Sequence, residues 1–174
     1  AGGHNGREET TTMCLIPQVV EAVKIPVIAA GGIVSGKSML AAFALGAEGV
    51  QMGSRFVASE ESSAHSNFKN SVLHCGEGET QLTLKELTPV RLIKNKFFRE
   101  VEEAYRTCAT AEDLKILLGR GRAKKGMFEG DLEEGELEIG QGAALIKKIQ
   151  PAAEIVQEII KAFNDQRSKL GLKA

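Results

Sequence analysis

The stretch "IPVIAAGGIVSGKS", residues 25–38, decides how this chain is read. Its second half, residues 31–38, spells G-x-x-x-x-G-K-S, with Gly31, Gly36, Lys37 and Ser38 at the spacing of a phosphate-cradling P-loop. An apolar run precedes it and a helical pattern follows, as such a loop requires. A nucleotide hydrolase also needs a carboxylate at the end of a second strand, to hold the Mg²⁺ that neutralises the phosphates. The chain has three aspartates, Asp113, Asp131 and Asp165, and none of them ends an apolar run. The next apolar strand closes in "QMGS" without an acid. Nor does the more helical second half supply further parallel strands. The hydrolase reading fails, while the phosphate reading survives in another setting.

That setting follows from the neighbouring elements. Residues 12–23 place Ile16, Val19, Val20 and Val23 on one helical face, which requires Pro17 to lie in the first turn. "IPVIAA" is an unbroken apolar run, suiting a strand buried on both faces of a parallel sheet. A helix over 38–45 is stopped by Gly46, "GVQMG" (49–53) is a second strand ending in glycine, and a helix follows over 61–73. Helices alternating with buried strands mean an α/β fold, either a doubly wound sheet or a (β/α)₈ barrel. In the barrel, the loops after strands 7 and 8 lie side by side and commonly form a phosphate site. Ser54 would add a hydroxyl there, and Lys37 or Arg55 a charge.

After residue 76 the pattern becomes helical. Phe97, Phe98, Val101 and Tyr105 share one helix face, and Thr110 with Asp113 forms a capping box before "LKILLG". The glycine-punctuated segment 119–142 reads as a loop too polar to be core, its basic "GRGRAKKG" and acidic "EGDLEEGELE" blocks attracting each other in solvent. Helices over 143–149 and 151–163 close the chain, the second with Pro151 at its start. The sequence thus divides into an α/β part, 1–75, and a helical C-terminal part, 76–174.

Composition sets outer bounds. The chain has 174 residues, 43% of them apolar and 26% charged, with a net charge of −1. That balance favours a soluble protein and gives no reason to expect nucleic acid or an anionic membrane as partner. Cys14, Cys75 and Cys108 are scattered without a C-x-x-C pair, which points to a reducing, cytoplasmic setting and no metal. A small-molecule substrate is the expected partner, and a homo-oligomer is compatible with the sequence.

The opening loop "AGGHNG" surrounds His4 with glycines. Histidine is the side chain best suited to proton transfer near neutral pH, and flanking glycines let backbone pass close to a planar ring. Glu8 or Glu9 could orient His4. The loop has no strand leading into it, so we expect an upstream segment to supply one.

Taken together, "AGGHNG", "IPVIAAGGI", "ALGAEGVQMGSRFVASEES" and "GQGAALI" resemble the nitronate monooxygenase family, formerly the 2-nitropropane dioxygenases. Flavin-dependent type II enoyl-ACP reductases are close relatives. The resemblance covers nearly the whole chain and is strongest over residues 1–66. It implies the C-terminal portion of an FMN-binding (β/α)₈ TIM barrel, with strands 7 and 8, flanking helices and a helical extension. Residues resembling family cofactor positions are Gly3, Gly31, Gly32, Gln51, Met52, Gly53 and Ser54. His4 resembles the active-site base that takes the α-proton of a nitroalkane. The implied activity is oxidation of alkyl nitronates with O₂ to a carbonyl compound and nitrite. Runner-up readings are an NAD(P)H-dependent enoyl-ACP reductase, also with FMN, and a non-catalytic fragment needing its N-terminal half. Ser54 stands where many relatives carry Thr, which keeps the hydroxyl.

Overall fold

The computed structural model describes residues 2–4 and 10–172. Helix α1 (Thr12–Ala22) leads into strand β1 (Ile28–Ala30), helix α2 (Gly36–Ala44) and strand β2 (Gly49–Gln51). The strands pair in parallel, Ile28 opposite Gly49 and Ala30 opposite Gln51, so 25–51 is a βαβ unit as the sequence predicts. Gly46, at φ +97°, ends α2. Two expectations fail here. Pro17 lies beyond the first turn of α1, where its missing N–H removes a bond to the Met13 carbonyl. Strand β1 is covered on one face only: Ala29 packs with Ile16, Ile33, Ala42 and Ala47, while Ile28 is 58% exposed. Helices cover the Ala29 side, and among the described residues nothing covers the other.

Short helix α3 (Ser54–Val57) and helix α4 (Ser66–His74) follow. Strands β3 (Thr80–Thr83) and β4 (Val90–Ile93) then form an antiparallel hairpin, which corrects the helical reading of 76–174. Its period-2 pattern was masked by an unusual turn: Leu84 takes the left-handed conformation at φ +54°, a position where glycine or asparagine would have signalled a hairpin. The free edge of β4 is lined by other segments. His4 bridges Val90 and Glu138 bridges Leu92, both antiparallel.

This small sheet separates two cores. Leu84, Val90, Leu92, Phe97, Phe98, Val101 and Leu114 pack on one side, with helices α5 (Lys96–Arg106) and α6 (Ala111–Leu118). On the other, Leu137, Ile139, Ala143 and Ile146 join Ala58, Phe68 and Val72. The segment 119–142 is therefore not the solvated loop that its polarity suggested. Its charges pair locally, Lys125 with Asp131 at 3.2 Å and Arg122 with Glu134 at 3.5 Å, while Leu137 and Ile139 are 2% exposed. Buried Asn95 holds it in place: Oδ1 accepts from the Phe98 amide, and Nδ2 donates to the carbonyls of Leu132, Glu133 and Gly135. The capping box of Thr110 and Asp113 forms as expected.

A 3₁₀ turn (Gln141–Leu145) replaces the helix expected over 143–149, and helix α7 (Ala152–Lys169) closes the chain. The Glu61 carboxylate accepts from the Ala152 amide at the start of α7, a favourable place for an acid. Helix α7 crosses α2 closely because Gly36 has no side chain. A Cβ there would sit 2.2 Å from the Phe163 nitrogen and 2.3 Å from the Ile159 carbonyl oxygen.

Candidate functional site

The P-loop spelling has a local explanation. Ser35 caps α2 in a reciprocal box with Ser38, whose Oγ accepts from the Val34 and Ser35 amides and donates to the Ser35 carbonyl. Ser38 is thus spent on the helix start, Gly36 on contact with α7, and Lys37 is exposed on the first turn of α2. Arg55 is buried under α7, with its guanidinium 3.5 Å from the Lys148 carbonyl oxygen and attracted by Glu158. Of the two cations that the sequence offered for a phosphate, Arg55 is thus engaged elsewhere and Lys37 stands exposed.

The glycines behave differently. Gly31 (φ +96°) and Gly32 (φ +74°) hold left-handed conformations after β1, which L side chains rarely adopt. The Gly31 carbonyl accepts from Thr12 Oγ1 at 3.0 Å, fixing the turn against α1. Gly2 lies beside it, a Cβ there falling 3.8 Å from the Gly31 Cα. Gln51 ends β2 on the same exposed face as Ile28 and Ala30, because paired residues share a face. Met52 turns toward the helices, lining an apolar cleft of about 150 Å³ with Met39, Phe56 and Ile160, and so offers the open side only its backbone. Gly53 is open, with nothing within 4 Å of a Cβ.

A segment that sequence reading cited only for its resemblance, "GQGAALI", joins these parts. The Gly140 amide donates to Ser54 Oγ at 3.0 Å, leaving the hydroxyl hydrogen without an acceptor among the described residues. Gly142 packs on Val34, whose Cγ1 would be 2.3 Å from a Cβ at that glycine. Gly3 lies against Glu138 and Ile139, each within about 3.5 Å of a Cβ there. The loop after β1, the end of β2 and the His4 loop are thereby linked through residues 138–142. The sequence placed the two strand-end loops as neighbours, the resemblance added the His4 loop, and neither pointed to residues 138–142 as their connector.

His4 is highly exposed, and its Nδ1 stands 2.5 Å from Oε1 of Glu138, a side chain only 9% exposed. Glu8 and Glu9, the expected partners, lie outside the described residues. Burial pushes the Glu138 carboxyl above its ordinary value, and His4 opposes that shift. Glu136, on the same face of the segment, is pushed up first by burial and then by Glu138, with His4 and Arg122 opposing.

The pattern of the family described as Nitronate monooxygenase matches residues 1–162. The chain belongs to the nitronate monooxygenase family. Curated members include the "Probable nitronate monooxygenase" of Staphylococcus saprophyticus, 33% identical over 95% of this chain and 49% of that protein. That of Bacillus subtilis is 35% identical over 92% of this chain and 50% of its own length. Among solved structures, FabK from Thermotoga maritima is 42% identical with a TM-score of 0.86, over 98% of this chain and 53% of its own. A nitroalkane oxidase from Streptomyces ansochromogenes is 31% identical with a TM-score of 0.74, over 98% and 51%. The chain thus spans about half the length of the relatives it matches.

Proposed function

We propose that this chain is the C-terminal portion of a (β/α)₈ barrel, with β1 and β2 as strands 7 and 8, in an FMN-dependent oxidoreductase of nitronate monooxygenase type. The observation that carries the reading is the meeting of Val34 from the loop after β1, Ser54 after β2 and Gly3–His4 on residues 138–142, with Gly2 beside Gly31. The bare face of β1 and β2 fits a strand whose inner side belongs to a barrel interior.

The residues present fit a flavin. The left-handed glycine pair lets backbone amides approach a phosphate, the Ser54 hydroxyl hydrogen has no acceptor within the described residues, and Gly53 leaves space beside them. Gly31, Gly32, Gln51, Gly53, Ser54 and the backbone of Met52 would hold the phosphate and ribityl chain, with Gly3 beside the ring. When bound, FMN would supply the redox chemistry that oxidation of an alkyl nitronate with O₂ requires. His4 supplies the base, accepting the α-proton of a nitroalkane on the ring nitrogen not facing Glu138.

A second reading is favoured by one comparison: FabK, an enoyl-ACP reductase, is 42% identical over 98% of this chain, against 33% and 35% for two curated monooxygenases matched over 95% and 92% of it. Parallel assays separate the two. Nitrite release from a nitronate under O₂, without NAD(P)H, supports the monooxygenase. Oxidation of NAD(P)H driven by an enoyl-ACP, with no nitrite from nitronates, supports the reductase.

A further inference from the structure

We propose that Glu138 is the positioning residue of His4, fixing the imidazole with its proton on Nδ1 and leaving Nε2 to act as the base. The chemical use of that base rests on the function proposed above; the contact stands on geometry. Strand β4 places the two residues together. The Arg91 amide donates to the Gly3 carbonyl at 2.7 Å, and the Arg91 carbonyl accepts from the Ile139 amide at 3.0 Å. One residue therefore pins the His4 loop through its N–H and the Glu138 segment through its C=O. His4 sits opposite Val90 and Glu138 opposite Leu92, two positions apart on one strand, so both side chains leave the same face of the sheet.

The partners are unequal in a way that suits positioning. The Glu138 side chain is almost wholly enclosed (9% exposed), and among the described residues no donor reaches its Oε1 along a hydrogen-bond direction. His4 has 76% of its side chain accessible and approaches that oxygen with Nδ1. A buried carboxylate acceptor short of a donor and an imidazole nitrogen 2.5 Å away complete each other. Catalytic contacts of this kind are often poorly aligned before substrate binds and tighten afterwards. A carboxylate on one ring nitrogen fixes the tautomer and orientation of the other.

The test is ¹⁵N NMR of the protein with labelled histidine, loaded with FMN and again without it. The spectrum carries its own references. His65 Nδ1 accepts from the Asn67 amide, so its proton is on Nε2 when neutral. His74 Nδ1 lies 2.7 Å from the Asn70 carbonyl oxygen, so its proton is on Nδ1. Neutral His4 is expected to match His74, to move toward the His65 pattern in Glu138→Leu, and to stay unchanged in Glu136→Gln. A His65-like pattern in the unsubstituted protein overturns the proposal, and that result needs no variant to fold. So does a His4 pattern indifferent to Glu138→Leu. In turnover, Glu138→Leu should lower kcat by about 10- to 100-fold with KM within about threefold; a loss confined to KM overturns it as well. A protein without nitronate turnover but with the tautomer change would refute the proposed reaction and leave the His4–Glu138 assignment standing.

Discussion

The β1–α2–β2 unit and the β3–β4 hairpin are both two-stranded sheets, yet they are finished differently. The first is parallel, packed on one side by α1 and α2, and among the described residues bare on the other, where Ile28 is exposed. The second is antiparallel, sandwiched between cores on both faces, with its β4 edge covered by Gly3–His4 and Leu137–Ile139. The glycine loops close the ends of β1 and β2. The hairpin edge holds His4. On the proposed function, the phosphate side would rest on the one-sided sheet and the proton-transfer side on the sheet packed on both faces.

If that contrast holds, damage on the two sides should separate chemistry from stability. The largest effect is expected from His4→Ala, which should lower kcat about 10²- to 10⁴-fold in a nitronate assay. Its melting temperature should barely move, because the side chain is exposed. Gly36→Ala tests the helix packing behind the parallel sheet. The new Cβ meets backbone of Phe163 and Ile159, so the variant should lose about 3 kcal/mol in denaturant unfolding. Asn95→Ala tests the hairpin side. It removes a helix cap and the side-chain donor to the Leu132 and Gly135 carbonyls, for a loss of about 2 kcal/mol. Ser54→Ala should weaken FMN binding about tenfold, ~1.4 kcal/mol, with little change in melting temperature. Equal losses of FMN affinity in Asn95→Ala and Ser54→Ala would erase the distinction between the two regions.

The smallest effect is a pH dependence. The Glu136 carboxyl is raised in the folded state by burial and by Glu138, so the folded protein binds more protons than the unfolded one just above the ordinary glutamate range. Its contribution to stability therefore falls as pH rises through that window, and the penalty is complete above it. Glu136→Gln should melt higher than the parent at about pH 7, and the difference should shrink toward about pH 4. Glu138, shifted the same way, should leave a residual slope.

What the sequence disclosed divides along the same line. The βαβ unit is local: apolar runs, strand-ending glycines and the Gly46 stop all fall within residues 25–53, and their order appears as read, although β1 is covered on one face only. The hairpin depends on Leu84 in a left-handed turn, which no turn signal announces, and it was missed. The burial of Leu137 and Ile139 was hidden by surrounding charges that pair with one another. The Glu138 contact with His4 joins residues far apart in sequence through β4, so spacing pointed instead to nearby glutamates. Of the four P-loop positions spelled by "GGIVSGKS", Gly31 makes a left-handed turn after β1, while Gly36 and Ser38 serve helix packing and capping.

The most direct test of the central claim is a titration of the purified protein with FMN, followed by flavin fluorescence, with ATP as competitor. Saturable FMN binding that ATP does not displace is the predicted result. Binding of ATP alone, or displacement of FMN by ATP, would contradict the flavin assignment and return "GGIVSGKS" to the nucleotide-binding loop it spells.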